Sequence, residues 1–116
     1  MSTKTSVFFD AAVTAAVNVS TACRGQLMSL QAYNVNATDA WLQVFNVPAA
    51  SVTLGTTTPI QSFLVPKGNG TDRGATEMSW TEGLNLDGSA ISIAATTTET
   101  GSTTATTGLE VNVQFR

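Results

Sequence analysis

The side chains best suited to acid–base chemistry in this sequence are eight carboxylates. A suitably spaced pair of carboxylates can serve as the acid and the base of a hydrolytic reaction. Nothing in their spacing singles out two of them, and most lie in or beside predicted turns, where Asp and Glu are common. The sequence has no His, which removes the commonest general base and the commonest metal ligand. We therefore predict a non-enzymatic protein with no catalytic residues, cofactor or metal. The carboxylates are Asp10, Asp39, Asp72, Glu77, Glu82, Asp87, Glu99 and Glu110.

Two further features could carry chemistry, and both have simpler interpretations. Cys23 is the single cysteine, and a lone thiol is more often a small buried hydrophobe than a nucleophile. Residues 67–74 are rich in glycine, but they lack the Gly-Lys-Ser/Thr ending of a phosphate-binding loop. Asn69 and Asp72 offer too few oxygens for a calcium site by themselves. The glycine-rich segment is therefore predicted to be a loop.

Few residues of this chain are charged, and the placement of the basic ones argues against a nucleic-acid partner. Charged residues make up 11% of the 116 residues, and the net charge is −3. Nucleic-acid binding needs clustered Lys and Arg, whereas the five basic residues here are scattered. No apolar run approaches the roughly 20 residues that cross a bilayer. Asp10 interrupts the run that could imitate a secretion signal, so we expect the N-terminal segment to be retained. We predict no nucleic-acid and no membrane partner.

The elements that must position these residues are predicted to be strands. Short β-branched and aromatic runs alternate with Gly, Pro, Asn and Thr-rich segments, and no run has a convincing helical period. We count about eight or nine antiparallel strands, the pattern of a β-sandwich or barrel. Residues 13–20 are predicted as one strand and residues 51–54 as a brief extended piece. Residues 1–116 are predicted to form a single all-β sandwich domain.

The centre of the sequence, residues 25–66, holds its most apolar segments. Two runs, residues 26–35 and 40–47, are joined by an Asn/Asp-containing turn and are predicted to form a hairpin. The second run is apolar on both faces, with Trp41, Phe45 and Val47 on one and Leu42 and Val44 on the other. A strand with one wet face would alternate with polar residues.

The second face of this strand must therefore be covered. A loop of the same chain, another subunit or a larger assembly could cover it. Aromatic side chains are enriched in interface cores, so we predict that Trp41, Phe45 and Val47 lie close to an intersubunit contact. Replacing Trp41 or Phe45 by Ala is then expected to weaken assembly more than it unfolds the monomer.

The alternation of apolar and polar residues also predicts the core and limits the structure of the Thr-rich tract. The tract at residues 96–107 is low in complexity, but the clearest strand of the chain follows it. The tract is therefore either a loop or an extension of strands into solvent. The predicted core residues are Leu42, Val44, Ile91, Ile93, Val111, Val113 and Phe115.

Several segments resemble one group of proteins. They are Ala-Trp-Leu-Gln-Val-Phe at residues 40–45, Val-Thr-Leu-Gly-Thr-Thr-Thr-Pro at 52–59, Phe-Leu-Val-Pro at 63–66, and Ile-Ser-Ile-Ala-Ala-Thr-Thr-Thr at 91–98, followed by a strand. Together they resemble small virion structural proteins of tailed bacteriophages, and most of all capsid decoration, or cement, proteins.

The resemblance implies a β-sandwich of jelly-roll type that forms a homo-oligomer, with a trimer expected, and performs no catalysis. It implies the major capsid protein as a partner and the outer surface of the capsid as the location, after assembly in the host cytoplasm. The alternatives are a tail or fibre component and a β-sandwich module that binds a host receptor or glycan. In such a module, the loops at residues 67–74 and 96–107 would bind the receptor or glycan. A carbohydrate site needs an exposed aromatic residue, and neither loop contains one.

Overall fold

The computed structural model describes residues 6–20, 25–86 and 90–116, which form eight β-strands. They are β1 (Ser6–Val13), β2 (Val17–Ser20), β3 (Gly25–Asn34), β4 (Ala40–Phe45), β5 (Gln61–Val65), β6 (Gly74–Leu86), β7 (Ile91–Thr96) and β8 (Leu109–Phe115). One turn of 3-10 helix, Ala49–Ser51, lies between β4 and β5. The predicted all-β fold is confirmed, with eight strands in the described ranges.

The strands form two four-stranded antiparallel sheets. Sheet I has the order β1-β8-β3-β6, and sheet II has the order β2-β7-β4-β5. Pairing is nested, since β1 pairs with β8, β2 with β7, β3 with β6 and β4 with β5. A long hairpin with its tip between β4 and β5 gives this order when it is rolled so that successive pairs fall in alternate sheets. The arrangement is an eight-stranded jelly roll, as the resemblance implied.

The inner faces of the two sheets form one hydrophobic core. In β8, Leu109, Val111 and Val113 point inward and are fully buried, while the intervening polar residues face outward. Six of the seven predicted core residues are buried to within 1% of full burial; Phe115 is only partly buried and packs against the cluster. Phe63 of sheet II and Trp80 of sheet I close one side of the sandwich, with ring centroids 6.1 Å apart.

The predicted hairpin of residues 26–35 and 40–47 is wrong. The first run is β3 in sheet I and the second is β4 in sheet II, so the two runs do not pair. The connecting residues cross from one sheet to the other. Asn and Asp favour such a corner for the same reasons that they favour a hairpin turn, because their side chains satisfy main-chain groups locally.

Two smaller predictions also differ from the structure. Residues 13–20 are not one strand, because β1 ends at Val13 and β2 begins at Val17. This break moves the chain from sheet I to sheet II. Of residues 51–54, Ser51 ends the 3-10 turn and Val52 has extended dihedral angles, but none of them lies in a strand. The interpretation of Cys23 concerns a residue outside the described ranges.

Candidate interaction surface

The strand that was predicted to be covered on both faces is β4, an inner strand of sheet II. Leu42 and Val44 are completely buried in the core between the sheets. Side chains alternate along a strand, so Trp41, Gln43 and Phe45 lie on the outer face of sheet II. Their partners on the neighbouring β7 are Thr96, Ala94 and Ser92, which are all buried. The outer face of sheet II is therefore largely withdrawn from solvent within one chain.

One part of the cover is the β4–β5 loop, residues 46–60. The hydroxyl of Ser92 donates to the carbonyl oxygen of Val47 at 2.7 Å, which holds the loop against β7. The N–H of Ala49 donates to Asn18 Oδ1 at 2.8 Å, which holds it against β2. Phe45 is 1% exposed on this outer face.

The second part of the cover is the Thr-rich loop, residues 97–108. Residues 103–105 run antiparallel to the end of β7, with the N–H of Ala105 donating to Ala95 O at 3.1 Å and that of Thr97 to Thr103 O at 2.9 Å. Residues 98–102 turn back toward β4 and β5, where the Ser62 hydroxyl donates to Glu99 O at 2.7 Å. The tract is thus a loop folded onto sheet II, the first of the two alternatives.

Gln43 links this loop to the sheet. Its amide nitrogen donates to Thr96 Oγ1 at 2.8 Å and to Gly101 O at 3.1 Å, and the side chain is completely buried. Thr96 Oγ1 in turn donates to Thr98 O at 2.7 Å. The two loops also meet, because a Cβ on Gly55 would lie 3.1 Å from Ser102 Cβ. A network of hydroxyl and amide groups thus stabilises the cover without charged residues.

An apolar surface remains at the margin of this cover. Trp41 is half-buried, and its direct partner on the edge strand β5 is Leu64, which is 42% exposed. Residues that face each other across antiparallel strands have Cβ atoms roughly 5 Å apart, so these two side chains lie side by side. We call this pair the Trp41–Leu64 surface. Ile60, directly before β5, is 37% exposed.

The three predicted interface residues have different environments. Phe45 is buried by its own chain, which was one of the three coverings that the sequence left open. Trp41 and Val47 are half-buried and reach the molecular surface. Sequence reasoning missed Leu64, because Phe63, Leu64 and Val65 are consecutive apolar residues and give no alternation that marks the middle one as outward. A predicted β4–β5 pairing would have placed Leu64 beside Trp41.

The described part of the chain shows no arrangement that suggests chemistry. No group of three or more Asp, Glu, His or Cys side chains lies close enough to hold a metal ion within the described ranges. Arg73 forms a 3.0 Å ion pair with Glu110 and lies over the ring of Tyr33, 4.4 Å from its centroid. No helix in the described ranges is long and apolar enough to cross a membrane. That the protein is not an enzyme stays a prediction.

Comparison with models of known protein families finds no match, and a search of curated proteins finds no significant similarity.

Proposed function

We propose that the protein is a non-enzymatic virion structural protein of a tailed phage, which binds the outside of the capsid as a homo-oligomer and stabilises it. The proposal is supported by the structure of the outer face of sheet II. Its outer face is covered by two loops held by hydroxyl and amide hydrogen bonds, and the apolar Trp41–Leu64 surface lies at the margin. This surface has no charged side chain that docking would have to desolvate.

A protein of this kind needs no active site. It acts by binding the assembled shell and not its separated parts, so each molecule that binds shifts the equilibrium toward the intact particle. Interface centres are depleted in charged residues and enriched in aromatic ones, and Trp41 with Leu64 fits that composition. The sequence resemblance to decoration proteins names the major capsid protein as the partner.

The jelly roll supports the proposal only by analogy. The fold occurs in viral capsid domains, but also in lectins and cupins. Because one fold hosts many functions, the surface must carry the argument. Within the proposal, Trp41 and Val47 contact the neighbouring subunit or the shell, and Phe45 holds β4 and its covering loop in place beneath them. On the shell, a trimer with closed three-fold symmetry is the expected assembly.

Immunogold electron microscopy of phage particles from cells that express the chain tests this function. The antibody is raised against the purified protein, and particles treated with a pre-immune antibody are the control. Gold over the heads is the expected result. Gold confined to tails would support the tail or fibre alternative instead, and unlabelled particles would contradict any virion role.

A second candidate, a glycan-binding module, is favoured by one observation on the other sheet. Gln31 and Asn112 are paired on the outward face of sheet I, and Tyr33, with Arg73 over one side of its ring, follows on the same face of β3. Ligand sites combine aromatic side chains with a few polar groups such as Asn and Gln, and this candidate lies on a sheet face and not on the loops predicted from sequence. Titration with host surface oligosaccharides tests it, because binding that is lost in Tyr33→Ala and retained in Trp41→Ala would favour this candidate.

A further inference from the structure

The edge strands of the two sheets differ in how far they are protected from pairing with another chain. Exposed edges present unpaired main-chain groups, and proteins usually protect them with charges, prolines, bulges or short length. In the described ranges, the edges are β1 and β6 of sheet I and β2 and β5 of sheet II. β2 has four residues, β5 is followed directly by Pro66, and β6 carries the exposed Glu77 and Glu82. Three of the four edges therefore carry a protecting device.

The first half of β1 has none of these devices. Its bulge lies after Asp10, and the Asp10 carboxylate accepts the N–H of Ala12 there at 2.9 Å, so only the later half is disrupted. Before the bulge, Val7 is 75% exposed and Phe9 is 59% exposed, the two most exposed large apolar side chains in the described ranges. Both lie on the outward face of sheet I.

The main-chain groups of these same two residues point away from the sheet. Gln26 of β3 and Arg116, directly after β8, exchange main-chain hydrogen bonds of 2.8 and 3.0 Å. The direction of the main-chain N–H and C=O groups alternates along a strand. Those of even-numbered residues in β8 therefore point to β3, and those of odd-numbered residues point to β1. The odd-numbered Val113 and Phe115 pair with Phe8 and Ser6 of β1. Ser6 and Phe8 therefore bond inward to β8, whereas the N–H and C=O groups of Val7 and Phe9 are directed outward.

We propose that this edge pairs with the same edge of a second copy of the chain, β1 against β1 in antiparallel orientation about a two-fold axis at Phe8. Val7 then faces Phe9 of the other copy, and Phe9 faces its Val7. Each of these two pairs exchanges two main-chain hydrogen bonds, and the two sheets I become one continuous eight-stranded sheet. The second copy is the fitting occupant because the segment is complementary to itself.

The flanking residues agree with this register. With the axis at Phe8, Ser6 faces Asp10 of the other copy, where its hydroxyl can donate to the carboxylate. An axis at Asp10 would instead place two carboxylates opposite each other, which is unfavourable. The two apolar pairs lie side by side on the outward face of the joined sheet, so pairing shields one flank of Val7 and one flank of Phe9 from water. This contact requires only the chain itself and does not depend on a role in a phage particle.

Sedimentation equilibrium of the purified chain tests whether the contact exists. We expect a monomer–dimer equilibrium that Phe9→Lys weakens at least tenfold, because the contact with Val7 of the other copy is lost and a lysine on a strand edge opposes pairing with another chain. Val7→Lys should act in the same way, and both side chains are exposed enough for the monomer to keep its far-ultraviolet circular dichroism spectrum. Thr81→Lys, which adds the same charge on the opposite edge strand β6, is the matched control and should leave association unchanged.

Disulfide formation tests the register in a Cys23→Ser background. Opposed residues in a hydrogen-bonded antiparallel pair have Cα atoms about 5.5 Å apart, within the range that a disulfide bridges. A mixture of Val7→Cys and Phe9→Cys chains should therefore form a cross-linked heterodimer on oxidation. Either variant alone should not, because identical positions are offset by two residues, roughly 7 Å along the strands.

Four results would contradict the proposed pairing. A wild-type chain that stays monomeric up to about 1 mM would overturn the proposal, as would association that survives both lysine substitutions. Cross-linking of Phe9→Cys with itself would overturn the axis at Phe8, since it would place the axis at residue 9. Lysine-sensitive association without cross-linking in the mixture would mean that β1 contacts a different surface, and this too would overturn the two-fold pairing.

Discussion

Asn34 holds the corner where the chain passes from β3 in sheet I to β4 in sheet II. The side chain is completely buried and makes four hydrogen bonds. Its Nδ2 donates to Thr38 O at 3.0 Å and to Val65 O at 3.1 Å, and its Oδ1 accepts from the N–H and the Nδ2 of Asn36. Every donor and acceptor position of one amide is therefore used to connect the corner with β5.

We expect Asn34→Ala to destabilise the chain by about 2–4 kcal/mol, because it leaves several buried polar groups without partners. Equilibrium unfolding in urea measures this loss. Asn112→Ala, on the outward face of sheet I, is the control and should cost less than about 1 kcal/mol. Equal effects of the two substitutions would show that the corner does not depend on the Asn34 amide.

The burial of Phe45 within one chain reverses the effect that the sequence predicted for its replacement, which was weaker assembly more than a less stable monomer. Because it is 1% exposed within a single chain, Phe45→Ala should lower the free energy of unfolding by roughly 3–5 kcal/mol. Unfolding in urea at a concentration where the chain is monomeric gives this value. A monomer of unchanged stability would mean that the loops do not cover Phe45 in solution and that another subunit does.

The two covering loops are the elements that turn an ordinary sandwich into one with a covered outer face. The Thr-rich loop has little apolar material, so its position depends on hydrogen bonds to sheet II. Thr96 is central to these bonds, since its hydroxyl accepts from Gln43 and donates to Thr98 O. Both partners lose a hydrogen bond if this hydroxyl is removed.

Thr96→Val keeps the size of the side chain and removes only the hydroxyl. We expect a loss of about 1–3 kcal/mol, because buried polar groups of Gln43 and the loop are left without this partner. Thermal unfolding followed by circular dichroism measures the change, and Thr100→Val, at an exposed position of the same loop, is the control. Faster amide hydrogen exchange in residues 98–105 of Thr96→Val should accompany it. A stability equal to that of the control would contradict the role given to this network.

For the molecule as a whole, local sequence patterns predicted the strands but not how they assemble. Strict alternation in β8 and the apolar runs of β4 and β7 were sufficient to predict the class of fold and most of the core. The β3–β4 hairpin was predicted wrongly because a turn rich in Asn and Asp suits both a hairpin and a corner between sheets. The choice depends on pairing between residues far apart in sequence, such as Trp41 with Thr96.

The candidate surface, too, was predicted only in part from local sequence patterns. Trp41 stood out because β4 is apolar on both faces, but the cover over Phe45 comes from loops whose hydrogen bonds join residues more than forty positions apart. A low-complexity tract carries no periodic signal that would predict such contacts. Leu64 becomes visible only when β5 is placed in register beside β4.

Attachment to capsids that lack the chain tests the proposed function most directly. Wild-type protein and Trp41→Ala are mixed separately with undecorated phage heads, sedimented, and quantified per folded molecule, with Thr100→Ala as the exposed control. We predict saturable binding of the wild type and of the control, and an affinity at least tenfold lower for Trp41→Ala, a difference of about 1.4 kcal/mol. Failure of the wild type to sediment with heads would contradict a capsid decoration role, and equal binding by Trp41→Ala would contradict the Trp41–Leu64 surface as the site of attachment.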